Sequence, residues 1–86
     1  MIDETYKESI GRVVNYLRTT NDLTQEELAI RVQKTHNYIA MIERGERTPS
    51  LGLLFKIAKE FDTELHKVFW WADLFYHYSK EYGDNV

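Results

Sequence analysis

The stretch from Leu23 to Pro49, LTQEELAIRVQKTHNYIAMIERGERTP, gathers the side chains of this 86-residue chain that could do chemistry. Thr35, His36 and Asn37 are small polar groups on a short amphipathic segment, on the face that its apolar side does not need. Amide and imidazole edges can exchange hydrogen bonds with the edges of bases, and nearby cations attract phosphate. Charge is distributed to match. Residues 31–59 carry six Lys/Arg and two Asp/Glu, a local +4, whereas residues 1–30 sum to −3 and residues 60–86 to −4. The overall −3 therefore conceals a basic middle; phosphate responds to that local patch, and the acidic ends disfavour loose, non-specific binding. Other chemistries are poorly supplied. His36, His66 and His77 have no metal-ligand spacing, there is no cysteine for a nucleophile, disulfide or thiolate zinc site, and the four glycines form no phosphate-binding loop. A non-enzyme without metal or cofactor is expected.

Two short helices meeting at a tight corner must position that face. Thr24 precedes an apolar-periodic run and Glu27 follows three residues later, so hydroxyl and carboxylate can cap each other's backbone N–H and start a helix near Gln25. Leu28, Ala29 and Val32 form its inward side. Thr35 is the N-cap of the second helix, Ile39 and Ile42 are its buried stripe with Tyr38 and Ala40 beside it, and Gly45 stops it after Arg44. Only about three residues separate the two, which forces a sharp turn. Upstream, Tyr6, Ile10, Val13, Val14 and Leu17 mark a helix over about 4–19, left through a turn at Asn21 and Asp22. Downstream, Pro49 and Ser50 open a fourth helix ending near Phe61, and a fifth starts near Thr63 or Glu64 with Leu65, Val68, Phe69 and Ala72 inward. No strand pattern is present.

These residues resemble the Cro and phage-repressor type of helix-turn-helix, the XRE family. The match runs through Leu23-Thr24-Gln25-Glu26-Glu27-Leu28-Ala29, Thr35, Ile39-Ala40, Ile42-Glu43-Arg44-Gly45 and Pro49-Ser50, with Ile10-Gly11-Arg12, Leu17-Arg18, Leu54, Ile57, Ala58 and Phe61 fitting the flanking helices. It covers about residues 9–69. The resemblance implies an all-α, compact five-helix bundle of the lambda-repressor-like DNA-binding type, and a sequence-specific regulator, commonly a repressor, that binds a palindromic operator in double-stranded DNA as a homodimer. It further implies that His36, Asn37, Ala40 and Met41 face base edges, that Gln25, Lys34, Thr35, Tyr38, Arg44 and Arg47 contact phosphates, and that Arg18 and Glu43 form a structural ion pair. Two positions depart from the pattern: Gln33 stands where the family usually has glycine, and Lys34 where it usually has an apolar residue. Either Gln33 takes a glycine-like conformation or the corner is reshaped, and Lys34 gains either a phosphate or a packing contact.

The remainder reads as part of the same compact unit, with a soft boundary near Phe69 dividing a domain at 1–69 from an aromatic helical extension at 70–86. Residues 69–82 hold Phe69, Trp70, Trp71, Phe75, Tyr76, Tyr78 and Tyr82. At helical spacing these make two stripes, Phe69, Ala72 and Tyr76 on one side and Trp71, Phe75, Tyr78 and Tyr82 on the other. One stripe can cover the chain's own core. The second is expected to meet another chain, with Leu53 and Phe55 of the fourth helix exposed beside it; the alternative is a helix folded back over its own bundle. That partner is a second copy or a different protein, such as a toxin or an anti-repressor, in which case the chain is an interaction module. The N-terminal MIDETYKESI is acidic and polar, unlike a signal peptide, and no apolar run suffices to span a membrane. A cytoplasmic location is the expectation.

Overall fold

Three helices begin where a side chain satisfies an early backbone N–H, and four end where the backbone turns left-handed. The computed structural model describes residues 4–81, and among them there are five helices and no strand: α1 Glu4–Thr20, α2 Gln25–Arg31, α3 His36–Glu43, α4 Leu51–Glu60 and α5 Leu65–Glu81. Thr24 and Glu27 form the reciprocal capping box of α2, at 3.0 and 2.8 Å. Thr35 and Ser50 cap α3 and α4 through their hydroxyls, each 3.1 Å from the N–H it receives.

Four helices end in the same way. After α2, the Gln33 N–H donates to the Ile30 carbonyl at 3.2 Å and the Lys34 N–H to the Ala29 carbonyl at 2.8 Å, the paired bonds of a Schellman motif. Equivalent pairs close α1 at Asp22, α3 at Gly45 and α4 at Asp62. The motif demands a left-handed residue, and Asp22, Gln33, Gly45 and Asp62 have φ of 59°, 60°, 78° and 54°. The corner is therefore not reshaped: Gln33 adopts the glycine-like conformation, at a cost of about 1–2 kcal/mol for a residue with a Cβ. Gly45 has a second constraint, because a Cβ there would stand 2.7 Å from Glu8 Cγ and 3.1 Å from Glu8 Cα.

The core sits between α1 and the other four helices. Ile10, Val13, Val14 and Leu17 of α1 meet Leu28, Ala29 and Val32, Ile39 and Ile42, Leu54, Ile57 and Ala58, and Val68 and Ala72, all buried. At Gly11 the approach of α1 to α3 is so close that an added Cβ would collide with the Ile42 carbonyl oxygen and lie 2.9 Å from that of Glu43.

The C-terminal helix corrects the sequence reading. It runs unbroken through Phe69 and folds back over α1, so Trp71 and Phe75 pack against the molecule's own core and Trp71 meets the Tyr16 ring edge-on at 6.2 Å. The Tyr6 hydroxyl ties α1 to α5 by donating to Asp73 Oδ1 at 2.6 Å; burial, with that bond and the carboxylate's charge, pushes the phenol up to about 12. Leu53 is also not exposed. It is buried at 3% because the inward face of α4 is two residues wide, Leu53 with Leu54 and, one turn on, Ile57 with Ala58. Phe55 is exposed, with Lys59 Nζ 5.8 Å above its ring, and Tyr78 is exposed. Tyr82 lies outside the described residues. The apolar line left outward on α5 is Trp70, Leu74 and Tyr78, at i, i+4 and i+8, between 50 and 59% exposed.

Candidate nucleic-acid interface

The first turn of α3 carries the two side chains best suited to a base edge. Thr35, as N-cap, sets the direction in which His36 and Asn37 leave the helix, and both are exposed. Met41, a turn later, is half-buried. Ala40 is not available: it is buried at 8%. The reason lies on another helix. Residues 36, 40 and 43 stack on one face of α3, and Gln25 bonds to both ends of that row, its Nε2 donating to Glu43 Oε1 at 2.9 Å and its Oε1 lying 3.0 Å from His36 Nε2. The amide of Gln25 thus spans the face in which Ala40 sits. This also changes the expected part of Gln25, whose side chain is engaged within the protein, half-buried at the start of α2.

Behind this row stands the Arg18–Glu43 pair. Arg18 Nε and Nη2 donate to the two carboxylate oxygens at 2.7 and 3.0 Å, and Nη1 donates to the Leu23 carbonyl at 2.7 Å. One guanidinium thereby joins α1, the start of the α2 region and α3. Asn15 Nδ2 adds a further bond to Glu43 Oε1 at 3.0 Å. Burial of Glu43 opposes its ionisation, but the bonds from Arg18, Gln25 and Asn15 outweigh that and hold the carboxyl below the usual carboxylate range. With side chains 13 and 5% exposed, the pair is sheltered from solvent. Asn15 was not foreseen, although its place one turn before Arg18 on α1 is a signal that could have suggested it.

The cations gather beside the reading turn. Gln33, Lys34, Thr35, Tyr38 and Arg47 line one shallow groove. Lys34 Nζ and Arg47 Cζ lie 5.6 and 5.4 Å from the centre of the Tyr38 ring, so both charges are held near one aromatic ring by cation–π attraction. Lys34 is exposed, its packing role taken up by this contact. The Thr35 hydroxyl accepts from the Tyr38 N–H and keeps its own proton to donate. Arg44 stands apart: its guanidinium is bidentate to exposed Glu46, at 2.7 and 3.1 Å, and would have to exchange that partner to meet a phosphate. Among the described residues no group of three or more His, Asp or Glu could hold a metal ion, and no helix is long and apolar enough to cross a membrane.

Known proteins share this fold. The helix-turn-helix family model (HTH_3) matches residues 14–68, from the middle of α1 into α5. Over 60 residues the chain is 40% identical to the uncharacterized HTH-type transcriptional regulator MJ0272 of Methanocaldococcus jannaschii, covering 70% of this chain and 91% of that one. The crystal structure of the restriction-modification controller protein C.AhdI from Aeromonas hydrophila superposes with a TM-score of 0.71 at 31% identity, over 76% of this chain and 94% of that one. The clp gene regulator ClgR from Corynebacterium glutamicum shares the fold more extensively, with a TM-score of 0.86 over 92% of this chain and 84% of that one, at 22% identity. The chain belongs to the helix-turn-helix family, in its Cro and phage-repressor (XRE) branch of DNA-binding transcriptional regulators.

Proposed function

We propose that this chain occupies an operator as a homodimer, reads it in the major groove through α3, and represses by that occupancy in the cytoplasm. The observation that carries this reading is the first turn of α3: exposed His36 and Asn37 stand beside a groove in which Lys34, Thr35, Tyr38 and Arg47 converge. Asn37 can bond adenine with both ends of its amide, His36 can exchange one bond with a base edge, and Met41 can meet a thymine methyl. The groove would hold backbone phosphates on one side of the reading turn, which fixes register without reading sequence. A restriction-modification controller protein of the same fold, C.AhdI, supports placing this chain among regulators of gene expression.

Removing Lys34 and Arg47 together should weaken binding to all duplexes alike and reduce the salt slope by about two, one for each lost phosphate contact. Titrations of the Lys34→Ala/Arg47→Ala protein at several salt concentrations measure this. An unchanged slope would remove the groove from the interface.

The dimer is supported by exposed Trp70 and Leu74, large apolar side chains one turn apart on the outer side of α5. Trp70→Ser with Leu74→Ser should shift the protein toward monomer in sedimentation while leaving the helical signal intact. Trp71→Ala with Phe75→Ala should instead lower stability, because those two cover the core. The overall reading is tested by selection from a random duplex library at about 150 mM salt, where electrostatic binding alone is weakened. Enrichment of a palindrome supports a two-fold reader; absence of any enriched motif would overturn sequence-specific binding and direct attention to a protein partner.

A further inference from the structure

We infer that the chain Arg18–Glu43–Gln25 fixes the proton of the neutral His36 imidazole on Nε2, so that Nδ1 is the acceptor His36 offers to DNA and the base it prefers carries an exocyclic amine, adenine or cytosine. The inference rests on α3 as the reading helix and adds which base edges one of its residues can accept.

A carboxylate only accepts hydrogen bonds, and Glu43 receives them from Arg18 at 2.7 and 3.0 Å and from Asn15 at 3.0 Å. The Gln25 atom 2.9 Å from Glu43 Oε1 must therefore be its NH2, since the carbonyl there would set two acceptors against each other. That orientation leaves the Gln25 carbonyl 3.0 Å from His36 Nε2. A carbonyl also only accepts, so Nε2 carries the hydrogen. A neutral imidazole has one N–H, and Nδ1 is then an acceptor. In the major groove the donors are adenine N6 and cytosine N4, while the acceptors are guanine N7 and O6, thymine O4 and adenine N7. Gln25 is in this account a positioning residue, acting on the base through His36.

Two measurements on the full 86-residue chain test it. Long-range proton–nitrogen NMR at about pH 8, where imidazoles are generally neutral, reads the tautomer directly. His36 Nε2 should resonate as a protonated nitrogen and Nδ1 as an unprotonated one, without averaging between tautomers. Gln25→Lys sets an ammonium, which only donates, beside both Glu43 and His36 Nε2; Nε2 must then accept, so the proton should move to Nδ1 and both resonances should exchange character. In parallel library selections, the position whose preference disappears in His36→Ala should read adenine or cytosine with the wild type, by roughly ten- to a hundredfold, and should shift with Gln25→Lys toward bases that present an acceptor, guanine or thymine ahead of adenine and cytosine last. A wild-type ring that averages between tautomers, or that carries its proton on Nδ1, overturns the relay, and this reading needs no variant to fold. An unchanged base preference in folded Gln25→Lys also overturns it. If His36→Ala alters no position while the tautomer is fixed, it is the base contact of His36 that fails, and the stated preference with it.

Discussion

Gly11→Ala should cost about 3 kcal/mol or more, although in most helices the same change is favourable by roughly 0.5–1 kcal/mol. An alanine at this position gains helix propensity, yet its methyl would occupy the space of the Ile42 carbonyl oxygen and crowd the Glu43 carbonyl at 2.9 Å. Both obstacles are backbone, held in place by the end of α3, and cannot rotate away as a side chain would. Relief requires α1 and α3 to separate, which pulls Val14 and Leu17 from Ile39 and Ile42 and stretches the Arg18–Glu43 contact. A loss of that size is a large part of the total stability of a domain this small. Thermal unfolding should show the midpoint falling by about 12 °C or more, at about 4–8 °C per kcal/mol for a domain of this size. A midpoint equal to or above wild type would mean that the close approach of α1 and α3 is misplaced.

Breaking the Arg18–Glu43 pair from one side should be nearly as damaging. Arg18→Ala leaves Glu43 ionised in a sheltered site with only the amides of Asn15 and Gln25 as donors, and Glu43→Ala leaves a guanidinium with the Leu23 carbonyl alone. Each should cost about 3 kcal/mol, the lower end of the range for a buried pair because Arg18 keeps some solvent contact. The double variant Arg18→Met/Glu43→Leu, which removes both charges and keeps volume, should be clearly more stable than either single one. Denaturant unfolding of the four proteins in a cycle measures the coupling; additive losses would reduce the pair to surface decoration. The sign with pH follows from the lowered Glu43 carboxyl. A group whose folded value is depressed adds stability that is present in full above its unfolded value, about 4.3 for glutamate, and that is lost as pH falls through the folded value below it. In that acid window, wild type should lose stability more steeply than Glu43→Gln.

The parts of this molecule that were legible in its sequence are those decided locally. Thr24 with Glu27, Thr35 and Ser50 predict their helix starts because a cap acts within three residues of itself. The stripes of α1 and α2 are narrow enough that period alone identifies what is buried. Gln33 could not be settled that way: the left-handed penalty is small beside the two hydrogen bonds and the tight turn that the Schellman motif secures. Leu53 was misplaced because a two-residue-wide inward face looks, in sequence, like one buried and one exposed apolar residue. Ala40 was misplaced because the row it shares with His36 and Glu43 is bridged by a residue of another helix, Gln25. The same non-locality governs α5. Its aromatics point in nearly every direction, so spacing cannot say which line faces α1; packing chose Val68 and Ala72 with Phe69, Trp71 and Phe75, leaving Trp70 and Leu74 outside.

The central claim, that α3 reads bases through His36 and Asn37, is tested most directly by paired selections from one random duplex library, with the wild type and with His36→Ala/Asn37→Ala. Both substitutions lie on exposed helix surface, so the variant should fold and melt close to wild type. The wild type should enrich a palindromic motif, and the variant should bind duplex DNA at low salt while losing preference at the inner positions of each half-site, each lost contact being worth about 1–3 kcal/mol of discrimination. The same motif recovered with undiminished preference by both proteins would contradict it.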